Sequence, residues 1–291
     1  MIKKFIRILL IVAAFFIVPT AVFLLGLRII FPDSRIKRIA ATQIRGLTMH
    51  EAKIGGLSIS IFNGLEISDF SLSRGNDFRS GTLLHIRRVV FSPSKLIIEQ
   101  PEIYVKQAEF SLRKLIGMLS NLKKPLRPGK YPPFVPSIKY LHVTGGIMHF
   151  IDNKNLSVEA VNLNASDFTP RLSSDIGLSF VLVSGKDGVK FGSDVKLDAD
   201  AETITLTNGR AETGGNALRI SGVSTGFKDP VLRLSLAGDT PVLNRIGVML
   251  SFPSGLGGGI LRLTGGLGGK HVNLSITGDF DNIRIQGGNI H

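Results

Sequence analysis

The sequence predicts a mainly β protein, with an N-terminal transmembrane helix followed by a long antiparallel sheet and two short helices. Three observations carry this. One uncharged apolar run lies near the N-terminus, apolar–polar alternation at period two fills most of the chain from Gly46 onward, and two stretches of helical periodicity break that alternation.

Ile8–Leu27, "ILLIVAAFFIVPTAVFLLGL", is uncharged over twenty residues. At about 1.5 Å per residue it reaches roughly 30 Å, the thickness of a bilayer's hydrocarbon core. Pro19 lies at mid-span, where a membrane helix tolerates it. A cleaved signal peptide has an apolar region of about 7–15 residues and a small-x-small site. Neither is present, so we expect a tail at 1–7 and an uncleaved signal anchor at 8–30. Lys3, Lys4 and Arg7 precede the span, and Arg28, Arg35, Lys37 and Arg38 follow it. Counted alone, these charges slightly favour a cytoplasmic C-terminus. A short tail, one span and a large β-rich body is instead the layout of a domain exported from a bacterial cytoplasm. The charge count leaves the orientation undecided; the exported layout is taken as the expectation: cell inner membrane, single-pass, with a cytoplasmic tail and the body in the periplasm.

From Gly46 onward the text alternates. "GLSISIF" sets Leu57, Ile59 and Ile61 on one face and Ser58 and Ser60 on the other. The same pattern surrounds Phe180 and Leu182, Leu234 and Leu274, with Gly, Asn and Asp punctuating the runs. In "GLEISDFSLS" the apolar phase slips between Ile67 and Phe70, which predicts a β-bulge near Asp69.

Two stretches break the alternation. "SLRKLIGMLSNLKK" spaces Leu112, Leu115, Ile116, Leu119 and Leu122 helically, with Ser111 as cap and Pro125 as stop. "TPVLNRIGVML" has Thr240 as cap, Pro241 at the first helical position, and Leu243, Ile246 and Leu250 on one face. Both read as helices packing an apolar stripe on the sheet. "KKPLRPGKYPPFVP" is too rich in proline for a strand. The body is therefore expected as a first unit at 44–122, a connector at 123–137 and a second unit at 138–291.

Residues 1–145 hold 22 Lys/Arg against 8 Asp/Glu, and 146–291 hold 13 against 14, so the net charge of +13 lies in the first half. No nucleic-acid motif and no array of stacking aromatics accompanies it, which makes a membrane surface the better partner. Without cysteine there are no disulfides, thiolate chemistry or cysteine-bound zinc.

Enzyme signals are weak. "GVSTG" centres Ser224 as in a nucleophile elbow, but a strand follows where the elbow needs a helix; a hairpin turn is expected. "TGGLGGKH" departs from a phosphate loop at Thr264 and His271. Asp194, Asp198, Asp200 and Glu202 lack the turn glycine of a calcium loop and read as a solvated edge. "HVTGGIMHFIDN" brings His142, His149 and Asp152 close in sequence, yet His149 and Asp152 differ in strand parity and so diverge. Val143 and the glycine pair read as a strand end and a turn, and "IMHFID" as the next strand. No catalytic, cofactor or metal residues are assigned.

"GLTMHEAKIGGLSISIFNGLEISDFSLS", "LLHIRRVVFSPSKLIIEQPEIYVKQ", "IKYLHVTGGIMHFIDN" and "LTGGLGGKHVNLSITGDFDNIRIQGGNI", in that order behind an anchor, resemble the AsmA-like family of bacterial envelope proteins, relatives of the TamB-type proteins. Gly146, Phe150 and Asp152 stand at matching positions of the third segment. The resemblance implies a long curved β-groove, apolar inside and polar outside. It implies lipid transfer between bacterial membranes or outer-membrane assembly. At 291 residues the chain is much shorter than the TamB-type bridges.

The expectation is an inner-membrane-anchored periplasmic protein whose groove binds acyl chains of membrane phospholipid. Leu57, Ile59, Ile61, Val158, Phe180, Leu182, Leu234 and Leu274 are the candidate lining. Other envelope proteins are expected partners, nucleic acid and cofactors are not, and no enzymatic activity is expected. The alternative is an envelope assembly or secretion-system accessory acting through sheet-edge protein contacts.

Overall fold

The computed structural model describes residues 33–60, 64–92, 94–106, 138–168, 173–249, 270–278 and 283–290. Among these, no helix is long and apolar enough to cross a membrane. The expected span at 8–30, the expected helix at 111–124 and the connector at 123–137 lie outside the described residues.

The fold is mainly β, as the alternation requires. One open sheet runs β1 (Ala52–Ser60), β2 (Gly64–Ser73), β3 (Thr82–Ser92), β4 (Lys95–Val105), β5 (Ile138–Phe150), β6 (Leu156–Phe168), β7 (Ser173–Ser184), β8 (Asp187–Asp198), β9 (Thr203–Thr213), β10 (Asn216–Thr225), β11 (Val231–Asp239), β12 (His271–Gly278) and β13 (Ile283–Ile290). Spatial order follows chain order across all thirteen strands. Every pair is antiparallel except β4–β5, which is parallel and corrects the expectation of a wholly antiparallel sheet. Parallel neighbours cannot be joined by a tight hairpin and need a long crossover. The stretch 106–137 is long enough to supply one, and the pairing makes the two expected β units continuous in one sheet.

The expected irregularity at Asp69 is present as a left-handed kink, not as the expected bulge: its φ is +51°, and Gly55 and Asp69 are passed over unpaired with no extra residue on either strand and no shift of register. It is one of a series. Gln100 (φ +48°), Gly145 (φ +62°) and Ala160 (φ +49°) continue a crease across β4, β5 and β6, and Asn208 (φ +53°) repeats it in β9. A left-handed residue in a strand shifts the side-chain phase by one, which is why the apolar parity changes along each creased strand. Side chains replace the missing ladder bonds. The Gly145 amide donates to Asn162 Oδ1 at 3.1 Å, and Asn162 Nδ2 donates to the Ala160 carbonyl at 2.8 Å. The glycine pair of "HVTGGIMHFIDN" therefore sits inside one continuous strand; the expected turn there is corrected to a bulge.

Among the described residues there are two α-helices. Helix α1 (Asp33–Thr48) was not expected, since the first β unit was placed from residue 44. It packs on β1 and stops where Met49 turns left-handed (φ +65°), its amide bonded to the Arg45 carbonyl at 2.9 Å. Helix α2 (Thr240–Met249) begins at the expected Thr240–Pro241 signal. It lies over β7 to β10 and buries Val242, Leu243 and Met249 in the main core with Leu182, Val189, Ala211 and Leu218. A second, smaller cluster forms where Phe227, in the β10–β11 loop, covers Leu197 and Ala199.

Candidate functional site: apolar rows across the sheet

Residues directly opposite one another on paired strands share a face. Followed from strand to strand, the register gives one row that crosses the whole sheet. It reads Ile59, Leu65, Phe91, Leu96, Leu141, Ala165, Ile176, Val195, Leu206, Gly222, Leu234, Ile276, Ile285. Every strand contributes an apolar residue except β10, where Gly222 stands. At about 4.8 Å per strand the row is roughly 58 Å long.

A second row, Leu57–Ile67–Val89–Ile98–Val143–Leu163–Leu178, runs beside it from β1 to β7. On the far side of the crease a third runs Ala52–Leu72–Leu84–Ile103–Met148–Val158–Leu182–Val189. Strand β7 carries no left-handed residue, and Ile176, Leu178 and Leu182 fall on one side of it by simple alternation. The three rows therefore belong to one face. The crease reverses the sequence parity so that this face stays apolar across the bend.

The face is not equally covered. At the β7–β8 turn end α2 seals it, with Arg245 paired to Asp187, and at the other end of those strands Phe227 does so. Between the two walls Ile176, Leu178, Val195 and Leu206 are only half-buried. Toward β1 the residues Leu57, Leu65, Ile67, Val89, Leu96 and Ile98 are also half-buried, and Phe91 is 40% exposed.

The expected lining residues that are described all fall on this apolar face, but in two environments. Val158, Phe180, Leu182, Leu234 and Leu274 belong to the core that α2 covers, and Phe180 stacks on Phe191 at 4.8 Å. Leu57 lies in the half-buried row at the sheet's start. Ile59 takes its place in the longest row by register, its side chain not being described, and Ile61 lies outside the described residues. The half-exposed members Ile67, Val89, Ile98, Val143 and Leu178 were missed. For Ile67, Val89 and Ile98 the signal was alternation in "GLEIS" and apolar runs in "RRVVF" and "KLIIE", readable as one surface only once the register was known.

The opposite face is polar. Arg88 joins three strands there: Nε and Nη2 donate to both carboxylate oxygens of Glu66 at 2.8 and 3.2 Å, and Nη1 to Glu99 at 3.2 Å. The guanidinium hydrogen bond holds the Glu66 carboxyl below its ordinary range. Next to this network Ser71, His85 and Glu102 lie in register, with Ser71 Oγ and His85 Nδ1 3.0 Å apart. Glu102 instead accepts from the Tyr104 hydroxyl at 2.6 Å, so the three do not form a relay. That hydrogen bond, helped by partial burial, raises the Tyr104 pKa to about 12. His149 stacks on Tyr104 at 4.8 Å, while the shallow depression containing His142, about 510 Å³, is bordered by Asn164, Asp175 and Lys196.

The remaining motif residues take structural places. The turn expected at Ser224 is corrected: the residue is a buried member of β10, paired with Ile204 and Leu232. Asp198 caps a turn by accepting from the Ala201 amide at 2.8 Å, and Asp194 accepts from Asn208 at 2.9 Å. Among the described residues no group of three or more His, Cys, Asp or Glu is placed to hold a metal ion. The phosphate-loop-like stretch at 264–269 lies outside the described residues. No family model, curated protein or solved structure matches the chain.

Proposed function

We propose that this chain is an inner-membrane-anchored periplasmic protein that binds lipid acyl chains along its apolar face. In this role it contributes to lipid transport between membranes and to outer-membrane biogenesis. The observation that carries the reading is the row that crosses thirteen strands with an apolar residue on all but β10, while the other face carries the Arg88–Glu66–Glu99 network. Where α2 and Phe227 leave it uncovered, from β1 to β7 and between the two walls, this apolar face favours a hydrocarbon partner. Each methylene moved onto it from water contributes about 0.8 kcal/mol, so a chain lying across several strands is held without any directed polar contact. Rows perpendicular to the strands let a chain slide from one strand to the next with little change of surroundings, a property suited to transfer.

Photo-crosslinking in the intact chain tests this. A benzophenone side chain at Ile98 or Leu178, both in the second row, is expected to capture lipid. The same group at Ser58, whose neighbour across the ladder is Glu66, is expected to capture none. Equal labelling at all three positions, or lipid at none, would falsify the reading. A second reading, the sheet-edge accessory, has support in β13, which among the described residues pairs only with β12. Protein adducts from β13 without lipid adducts from Ile98 would favour it.

A further inference from the structure

Helix α1 has two unlike sides. Ala40, Ala41 and Ile44 are half-buried on one arc, and the helix packs on β1. The opposite arc carries Arg38, Thr42 and Arg45, all exposed, with Ile39 beside them 52% exposed, and Met49, just past the helix end, is 77% exposed. From Ser34 to His50 the sequence has no acidic residue. Lys37, on the packed arc, donates its Nζ to the Gly55 carbonyl of β1, which ties the helix to the sheet.

We propose that α1 is an interfacial helix that rests on an anionic phospholipid surface. Arg38 and Arg45 lie among the phosphates, and Ile39 and Met49 enter the headgroup boundary. Exposed isoleucine and methionine interleaved with arginine suit a bilayer surface, which offers both charge and hydrocarbon. A nucleic acid offers no use for the apolar pair. The chain before the helix agrees with this occupant: the uncharged run Ile8–Leu27 ends six residues before Asp33. If that run spans the bilayer, six extended residues keep the start of α1 within about 20 Å of it. The inference thus rests on the anchored reading and adds an orientation to it. The strand attached to α1 is β1, so the apolar rows start at the membrane surface and lead away from it.

The chain has no cysteine, so Thr42→Cys accepts a single environment-sensitive dye. The labelled full chain is placed in nanodiscs of phosphatidylcholine, with or without phosphatidylglycerol, containing a headgroup quencher. Quenching is expected in the anionic discs, reversed by salt and by Arg38→Glu with Arg45→Glu, while a dye at Lys190→Cys on β8 stays unquenched. An unquenched Thr42 dye in anionic discs, or quenching that survives the double reversal in a chain of unchanged circular dichroism, overturns the proposal. If the chain does not enter the discs at all, the anchor reading fails instead. The same chain added to preformed anionic vesicles then tests α1 alone: Arg38→Ala with Arg45→Ala is expected to weaken binding about 30-fold, and unchanged binding overturns it.

Discussion

Tyr104 shows how a side chain on the polar face is tuned by its neighbours. Its hydroxyl donates to Glu102 Oε2 at 2.6 Å, and ionising the phenol would set two negative charges against each other. The pKa is accordingly raised to about 12, and the neutral phenol is the form the fold favours. Stability from this pair is complete below the ordinary tyrosine range near 10 and is lost as pH rises through about 12. Glu102→Gln removes the charge, so the Tyr104 titration is expected to move back toward the ordinary range while the remaining phenolate signal stays as it was. Ultraviolet titration of the phenolate band, compared between the two chains, checks this; an unmoved late component would mean that burial alone sets the value. None of this was legible in the sequence. Glu102 and Tyr104 read simply as alternate positions of a strand, and the hydrogen bond depends on rotamers that spacing does not specify.

At the scale of the element, α2 and α1 give opposite lessons. Thr240 and Pro241 announce a helix start by chemistry local to the chain, and α2 begins there. Helix α1 has apolar residues at helical spacing in Ile36, Ala40 and Ile44, but it follows closely on an apolar run and its basic residues were read as membrane flanks. The phase slip at Asp69 was legible for the same local reason as α2. Its alignment with Gln100, Gly145 and Ala160 was not, because a crease is a relation between strands. The helix that covers the face matters to stability as well as shape. Leu243 is 2% exposed and packed into the main core, so Leu243→Ala is expected to cost about 2–5 kcal/mol through lost burial and the cavity left behind. Denaturant unfolding measures this. A change below about 0.5 kcal/mol, the range of surface substitutions, would mean that α2 is only loosely seated.

For the whole molecule the decisive junction is β4–β5. Sequence reasoning placed a proline-rich connector between two β units, and nothing local to either strand reveals that they pair in parallel. Once they do, the rows pass through the junction without interruption: Leu96 meets Leu141, Ile98 meets Val143, and Ile103 meets Met148. Main-chain hydrogen bonds close both ends, from the Tyr140 amide to the Ser94 carbonyl at 3.0 Å and from the Ile151 amide to the Val105 carbonyl at 2.9 Å. A face that carries a hydrocarbon chain from β1 toward β13 needs this junction to be continuous rather than hinged. A protease site inserted between Gly129 and Lys130 allows the covalent link to be cut without touching any described strand. The two fragments are expected to remain together on gel filtration in native buffer and to separate only in denaturant, because the ladder and its apolar pairs, not the connector, hold the halves in register. Separation on cutting alone would show two independent units, and the rows would then end at β4 with no path onward.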